Sequence, residues 1–400
     1  MHESTTFVGL DVHKLEHTVA MYLPDQSQPR EWTVRNQAQE IAKMVQRVGK
    51  LAPGPVVFAY EAGVCGFALQ RLIESHGAIC QVIAPALTPI RPGDHVATDR
   101  RDARKLGQLL RAGLLTPIHP PTEAQEAVRD LCRCREAAML DLRRIRQQVT
   151  KFLLRRGHIF LEARHWTAKH LHWLGAMRLP VPLEQRVLES YLLELEHRQH
   201  RLDDVDQDIQ EQAAQEPYRQ PVEWLRCFRG IDTLTALSLV AELYAIARFA
   251  RARQLMAYLG LTPSESSSGP TRRMGQITKA GNSRVRRLLV EAAHCQTKPV
   301  RPSKLLTARR RGQPAWVVHI AQRAQKRLHD RYWRLVNHGK TCNKATTAVA
   351  RELAGFIWSV LRGPDRAGGL AAQVATAPLA AAAPAPPGRC AATPGCQGGV

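Results

Sequence analysis

Asp11 closes the apolar run Val8-Gly9-Leu10, and Glu61 closes Phe58-Ala59-Tyr60. Carboxylates at the ends of neighbouring strands project together from the rim of a sheet. Asp99 and Asp102 stand in Thr98-Asp99-Arg100-Arg101-Asp102, three residues apart on what reads as the first turn of a helix, and so share one face. Four converging carboxylates repel one another unless cations screen them. A set of this kind implies bound Mg2+ or Mn2+, and two such ions can orient and polarise a phosphodiester for in-line attack. Taken singly, each acid also has an ordinary reading: Asp11 as the end of a turn, Asp99 and Asp102 as residues favoured at a helix N-terminus.

A second constellation lies in Gly260-Leu261-Thr262-Pro263-Ser264-Glu265-Ser266-Ser267-Ser268-Gly269-Pro270-Thr271-Arg272-Arg273. A helix stops at Gly260 and Pro263, and a serine-dense loop follows. Next come Arg272 and Arg273, the turn Thr278-Lys279-Ala280-Gly281-Asn282, and then Arg284, Arg286 and Arg287. Such clusters are commonly plain surface loops. Here a serine hydroxyl is flanked by arginines, so it can be read as a nucleophile towards a phosphodiester, with arginine charge stabilising the transition state.

The charge balance agrees with a polyanionic partner. Among 400 residues, 57 Lys and Arg face 35 Asp and Glu, a formal net charge of +22. That disfavours a small-molecule metabolic enzyme and favours nucleic acid. From Arg272 to Lys340 eighteen Lys and Arg meet two acids, Glu291 and Asp330. This segment would repel itself without a polyanion to bind. A run of about eighteen apolar residues is absent, which argues against a membrane span. The first residues do not read as a secretion signal. Nine scattered cysteines without a CxxC pair point to a reducing cytoplasm rather than a zinc site or disulfide framework.

The elements that must position these residues divide the chain in four. Residues 1–120 read as an α/β domain: short β-rich runs at 6–10 and 18–22, strands at 55–60 and 79–83, and a helix around 66–75, ending at Pro120-Pro121. Residues 121–218 read as a helical arm. Leu131, Cys134, Ala138, Leu142, Ile145, Val149 and Phe152 form one stripe, and Leu188, Leu195, Leu202 and Ile209 recur every seven residues. Both an intramolecular hairpin and a dimerising coiled coil satisfy this pattern. Residues 219–362 read as mostly helical, and the Gly230-Ile231 turn looks like half of a helix-hairpin-helix that can hold phosphates. The Ala/Pro/Gly-rich tail, 363–400, cannot bury enough surface to order itself.

The acidic pattern resembles an RNase H-like or resolvase-like (RuvC-like) nuclease sheet. Over about residues 5–362, the chain as a whole resembles transposases of the insertion sequence 110 family, which carry a DEDD tetrad. The motifs are Val8-Gly9-Leu10-Asp11-Val12-His13-Lys14, Tyr60-Glu61-Ala62-Gly63, Thr98-Asp99-Arg100-Arg101-Asp102-Ala103, Gly260 through Gly269, Ile277 through Asn282, and Arg286-Arg287-Leu288-Leu289-Val290-Glu291-Ala292-Ala293. The resemblance implies a resolvase-like N-terminal domain, a coiled-coil arm and a C-terminal transposase domain. It assigns the metal ligands to Asp11, Glu61, Asp99 and Asp102. It also implies a covalent 5′-phosphoserine link, best mapped to Ser268, with Ser266 and Ser267 close beside it. A structured RNA made by the element, pairing with DNA, is implied as well. So is a homo-oligomer, a dimer or tetramer, that joins one chain's acids to another's serine. Two positions depart from the pattern: Ala97 where Lys is usual, and His294 where an aromatic Trp is expected, read as a packing change.

The reading that follows is a recombinase that breaks and rejoins DNA to move its own element. Arg272, Arg273, Lys279, Arg284, Arg286 and Arg287 would grip nucleic-acid backbones. Two alternatives remain. One is a metal-dependent Holliday-junction-type nuclease that hydrolyses without the serine. The other is a non-catalytic nucleic-acid-binding regulator.

Overall fold

The computed structural model describes residues 4–89, 98–268 and 271–363, apart from the side chains of Ser267, Ser268 and Arg272. Ala97 and the tail from 364 onward lie outside the described residues.

The N-terminal part is a mixed α/β sheet domain. Strands β1 (Thr6–Val12), β2 (Glu16–Tyr22) and β3 (Arg30–Arg35) form an antiparallel meander, followed by helix α1 (Ala38–Leu51). Strand β4 (Val56–Glu61), helix α2 (Ala68–Ser75) and strand β5 (Ile79–Ile83) add two parallel strands, and α3 (Asp99–Arg111) closes the unit. The strand order is β3-β2-β1-β4-β5. Two apolar clusters cover the two faces. Val8, Leu10, Val19, Met21, Phe58 and Tyr60 meet Ile41, Met44, Val45 and Val48 of α1, residues spaced to form one helical stripe. Phe7, Ala20, Tyr22 and Ala59 meet Ala103 and Leu110 of α3 on the other face.

Two helices of 32 residues each, α4 (Glu123–Leu154) and α6 (Pro182–Ala213), form an antiparallel hairpin within one chain. A Thr122–Gln125 capping box starts α4, and the short helix α5 (Ala168–Ala176) sits at the turn. The direction follows from the ion pairs Arg135–Asp206 and Arg156–Glu184, whose partners descend along α6 as α4 ascends. All four heptad-spaced residues of α6 are buried, as are Ala138, Leu142, Ile145, Val149 and Phe152 of α4. Near its start, α4 buries Val128 and Cys132 in place of the expected Leu131 and Cys134. There it turns its face to the C-terminal core, which Val128, Cys132, Ile209 and Ala213 join.

The remainder is mostly helical. Helices α7 (Arg219–Arg226) and α8 (Thr233–Leu243) flank a turn in which Gly230 has φ +82°. Helix α9 (Ala252–Tyr258) leads into strands β6 (Pro263–Ser268) and β7 (Thr271–Ile277). Four further helices complete the unit: α10 (Ser283–His294), α11 (Lys304–Arg310), α12 (Ala315–Asn337) and α13 (Cys342–Leu361). The serine-rich segment is thus a two-stranded hairpin, where the sequence reading has a loop. Pairing of the backbone overrides the low strand propensity of serine. No described helix is long and apolar enough to cross a membrane.

Candidate active site

The alternation of β1 and β4 decides where the acids point. Along β1, Val8 and Leu10 join the α1 side and Phe7 the α3 side, so the period of two places Gly9 and Asp11 towards α3. Along β4, Phe58 and Tyr60 take the α1 side and Val57 and Ala59 the α3 side, so Glu61 falls on the same face as Asp11. The two strands are parallel, with Leu10 opposite Tyr60. Asp11 and Glu61 therefore stand side by side at the strands' carboxyl ends. Helix α3 packs tightly on β1 at Gly9, where a Cβ would fall 2.2 Å from the Ala103 carbonyl oxygen and 2.4 Å from Gly107 N. One turn earlier this helix begins with Asp99 and Asp102, after Thr98, whose hydroxyl accepts from Arg101 N–H at 3.4 Å. The close contact at Gly9 thus delivers an acidic first turn over Asp11.

His13 enters this group although its sequence position signalled no role. Its Nε2 lies 3.1 Å from Asp11 Oδ2 and 3.5 Å from Asp99 Oδ1. The ligand atoms of Asp11, His13 and Asp99 all fall within 4.8 Å of one another. No local pattern marked it: His13 lies one residue past β1, and α3 brings Asp99 to it. Glu61 is outside that trio, and its Oε1 accepts from Thr88 Oγ1 at 2.8 Å. Burial raises the Asp11 pKa above the usual carboxylate value; His13 opposes the rise, and the charges of Asp99 and Asp102 add to it. The Asp11 charge and hydrogen bond raise the pKa of His13 in turn. An Asp11 charge opposed by burial and by its acidic neighbours, with Asp11 and Asp99 oxygens gathered beside His13 Nε2, fits a divalent cation. Asp11, His13 and Asp99 are the residues placed to hold it; Asp102, like Glu61, lies outside that group.

The serine hairpin is anchored elsewhere, on α9 and α10. Its register sets Ser268 opposite Thr271, Ser267 opposite Arg272 and Ser266 opposite Arg273, so Ser268 is the last paired residue before the two-residue connection. Ser264 is taken by the hairpin itself, its Oγ donating to Gln276 O at 3.2 Å. Two glycines pin the base. A Cβ on Gly260 would lie 2.3 Å from Ala280 N, and one on Gly281 would lie 1.9 Å from Tyr258 O; both residues have positive φ. The Tyr258 ring packs 5.1 Å from Phe249, as core rather than as part of the loop.

The cationic candidates have distinct placements. Arg273 and Lys279 are exposed, and Lys279 has φ +55°. Arg286 donates to Leu259 O and Ala280 O, both at 2.9 Å, bracing the base of the hairpin. Arg284 and Arg287 both pair with Glu136 of α4, the latter at 2.9 Å. His294 is exposed at the end of α10. Sequence reasoning missed Glu242, a buried carboxylate of α8. It accepts from Arg133 Nε at 3.0 Å and from Asn282 Nδ2 at 2.8 Å. Asn282 in turn caps α10 by accepting from Arg284 N and Val285 N. One carboxylate thus ties the helical hairpin to the helix that follows the serine strands. Its partners lie 109 and 40 residues away in sequence, beyond any local pattern.

Comparison with known proteins gives these sites a context. Residues 222–305 match the family described as Transposase IS116/IS110/IS902, and residues 8–156 match the DEDD transposases of IS110 elements. The chain is 41% identical over 358 residues to a transposase of Sinorhizobium fredii, covering 89% of this chain and 88% of that one. It is 35% identical over 333 residues to the transposase of insertion sequence element IS1533 of Leptospira borgpetersenii, covering 82% and 95%. A transposase of element IS1111A of Coxiella burnetii is 24% identical over 325 residues, covering 80% and 81%. The chain belongs to the IS110 family of transposases.

Proposed function

We propose that this transposase cuts and rejoins DNA to mobilise its own insertion sequence, with Ser268 as nucleophile and Asp11, Glu61, Asp99 and Asp102 as ligands of Mg2+ or Mn2+. The observation that carries the reading is the acidic cluster at the rim of the β3-β2-β1-β4-β5 sheet, whose order we read as RNase H-like, of the RuvC type. Mg2+ or Mn2+ bound there would neutralise charge on the scissile phosphate. Asp11, Glu61 and the acids on the first turn of α3 would hold that ion at the sheet edge. The Ser268 oxygen forms a bond to phosphorus while the P–O3′ bond breaks, and the 3′ oxygen takes up a proton as the serine loses one. The phosphoserine keeps the bond energy, so that rejoining needs no ATP.

Arg273 and Lys279 are free to reach nucleic-acid backbones, with Arg272 beside them in sequence. Arg286 holds the hairpin base in place, while Arg284 and Arg287 lie on α10 and pair with Glu136 of α4. The acids belong to the N-terminal sheet and the serine to the C-terminal hairpin. We infer a dimer or tetramer in which one protomer's serine meets another's acids, the α4/α6 pair acting as a coiled-coil arm. A structured RNA of the element would select the DNA.

The test incubates protein, element RNA and element-end DNA, then denatures. A protein–DNA adduct should form, persist in Ser266→Ala and Ser267→Ala, and vanish in Ser268→Ala and Asp11→Asn. Cleavage that survives Ser268→Ala unchanged would support metal-dependent hydrolysis instead. Transposition in cells that survives Asp11→Asn would support a regulator.

A further inference from the structure

The helical hairpin carries a cleft that neither candidate site uses. Met139, Arg143, Arg146, Gln147 and Lys151 of α4 line it with Trp166, and it encloses about 400 Å3. Over residues 142–161 the sequence has six Arg and Lys and no acid. Other arginines of the hairpin are neutralised: Arg135 by Asp206 at 2.8 Å, Arg144 by Asp141 at 3.3 Å and Arg156 by Glu184 at 2.8 Å. Among the described residues no ion pair engages Arg143, Arg146 or Lys151. Arg146 donates to Gln199 Oε1 at 2.9 Å, its Nε is buried without a hydrogen-bond partner, and its guanidinium lies 5.3 Å from the centre of the Trp166 ring. Trp166 has φ +65°, a conformation that bulky residues rarely adopt. Its backbone N–H donates to His170 Nδ1 at 3.0 Å, and the two rings meet edge-on at 4.9 Å. Backbone strain of this kind persists only where the surroundings enforce it, and it collects at binding sites. Here it holds an indole against a cationic helix face.

We propose that this cleft binds an unpaired nucleotide of a single strand, the base against Trp166 and Met139 and the flanking phosphates on Arg143 and Lys151. The inference rests on the reading of this chain as a protein that works on nucleic acid. The volume suits a single nucleotide. Arg143 and Lys151, two turns apart on one face of α4, straddle Arg146 and offer charge to phosphates on either side of the base. An indole accepts any base by stacking, whereas a duplex keeps its bases inside and cannot present one.

The test measures binding of labelled oligo(dT), oligo(U) and a duplex of equal length to the full chain by fluorescence anisotropy across a salt series. Arg143→Ala/Lys151→Ala should weaken single-strand binding and reduce its log–log salt slope by about 1.4, from about 0.7 per lost phosphate contact. Trp166→Ala should weaken it roughly tenfold, and Trp166→Phe should restore most of the loss. Duplex binding should change less than about twofold. The Arg143/Lys151 variant removes only exposed side chains outside any described ion pair, so it stands as a test even where Trp166→Ala unfolds the hairpin. A preference between oligo(dT) and oligo(U) that both variants abolish supports the site and identifies the strand. Two results would overturn it: variants that bind single strands like the wild type, or a loss that is equal for duplex and single strand. If the wild type binds neither, the nucleic-acid reading itself fails, which is a separate outcome.

Discussion

Asp11 shows how a single carboxyl is tuned by its position. Burial against α3 and the charges of Asp99 and Asp102 push its pKa up, while His13 pulls it down. A histidine with the opposite environment lies one strand away. His17 on β2 is buried, and burial lowers its pKa below the usual histidine value. A group whose folded pKa is depressed gives stability above its unfolded pKa, near 6.5, that is lost as pH falls. Urea denaturation of the full chain should therefore show the sheet domain losing stability below about pH 6.5, with a limiting slope of about 1.4 kcal/mol per pH unit for this proton. His17→Gln should flatten that limb; an unchanged limb would remove His17 as its origin. At this scale the placement of the acids was legible, because strand ends and a helix start mark them in sequence. His13 and Glu242 were not. Their roles depend on partners brought together by α3 and by the helical hairpin.

Among the elements, α3 and the serine hairpin share a device: a glycine that lets two backbones touch. At Gly9 it seats α3 on β1, and at Gly260 and Gly281 it locks the hairpin base. Gly9→Ala should force α3 outward and lower stability by about 1–3 kcal/mol in urea denaturation. It should also abolish strand cleavage, since Asp99 and Asp102 ride on the displaced helix. Full activity in this variant would disprove the positioning role of the contact. The sequence made β1, β2, β4, β5 and the heptads of α6 readable through apolar periodicity. Strand β3 escaped because Arg30-Glu31-Trp32-Thr33-Val34-Arg35 is a polar edge with a single buried residue. The β6/β7 pair escaped because its serines carry no strand signal, and only the pairing with β7 defines it.

For the whole molecule, the excess of 22 positive charges predicts steep salt dependence. If six or more phosphates are contacted, affinity for element DNA should fall by about a thousandfold or more between roughly 50 and 200 mM salt, measured by anisotropy. A flat response would contradict the assignment of the basic segment. The acids and the serine sit in different parts of the chain, so the proposed mechanism depends on bringing them to one phosphorus. The most direct measurement is mass spectrometry of the covalent product after nuclease trimming and trypsin. The account predicts a nucleotide on the peptide Gln254–Arg272, attached at Ser268, and none when the protein carries Asp11→Asn. A nucleotide on any other residue, or complete cleavage with no attached nucleotide, would contradict it.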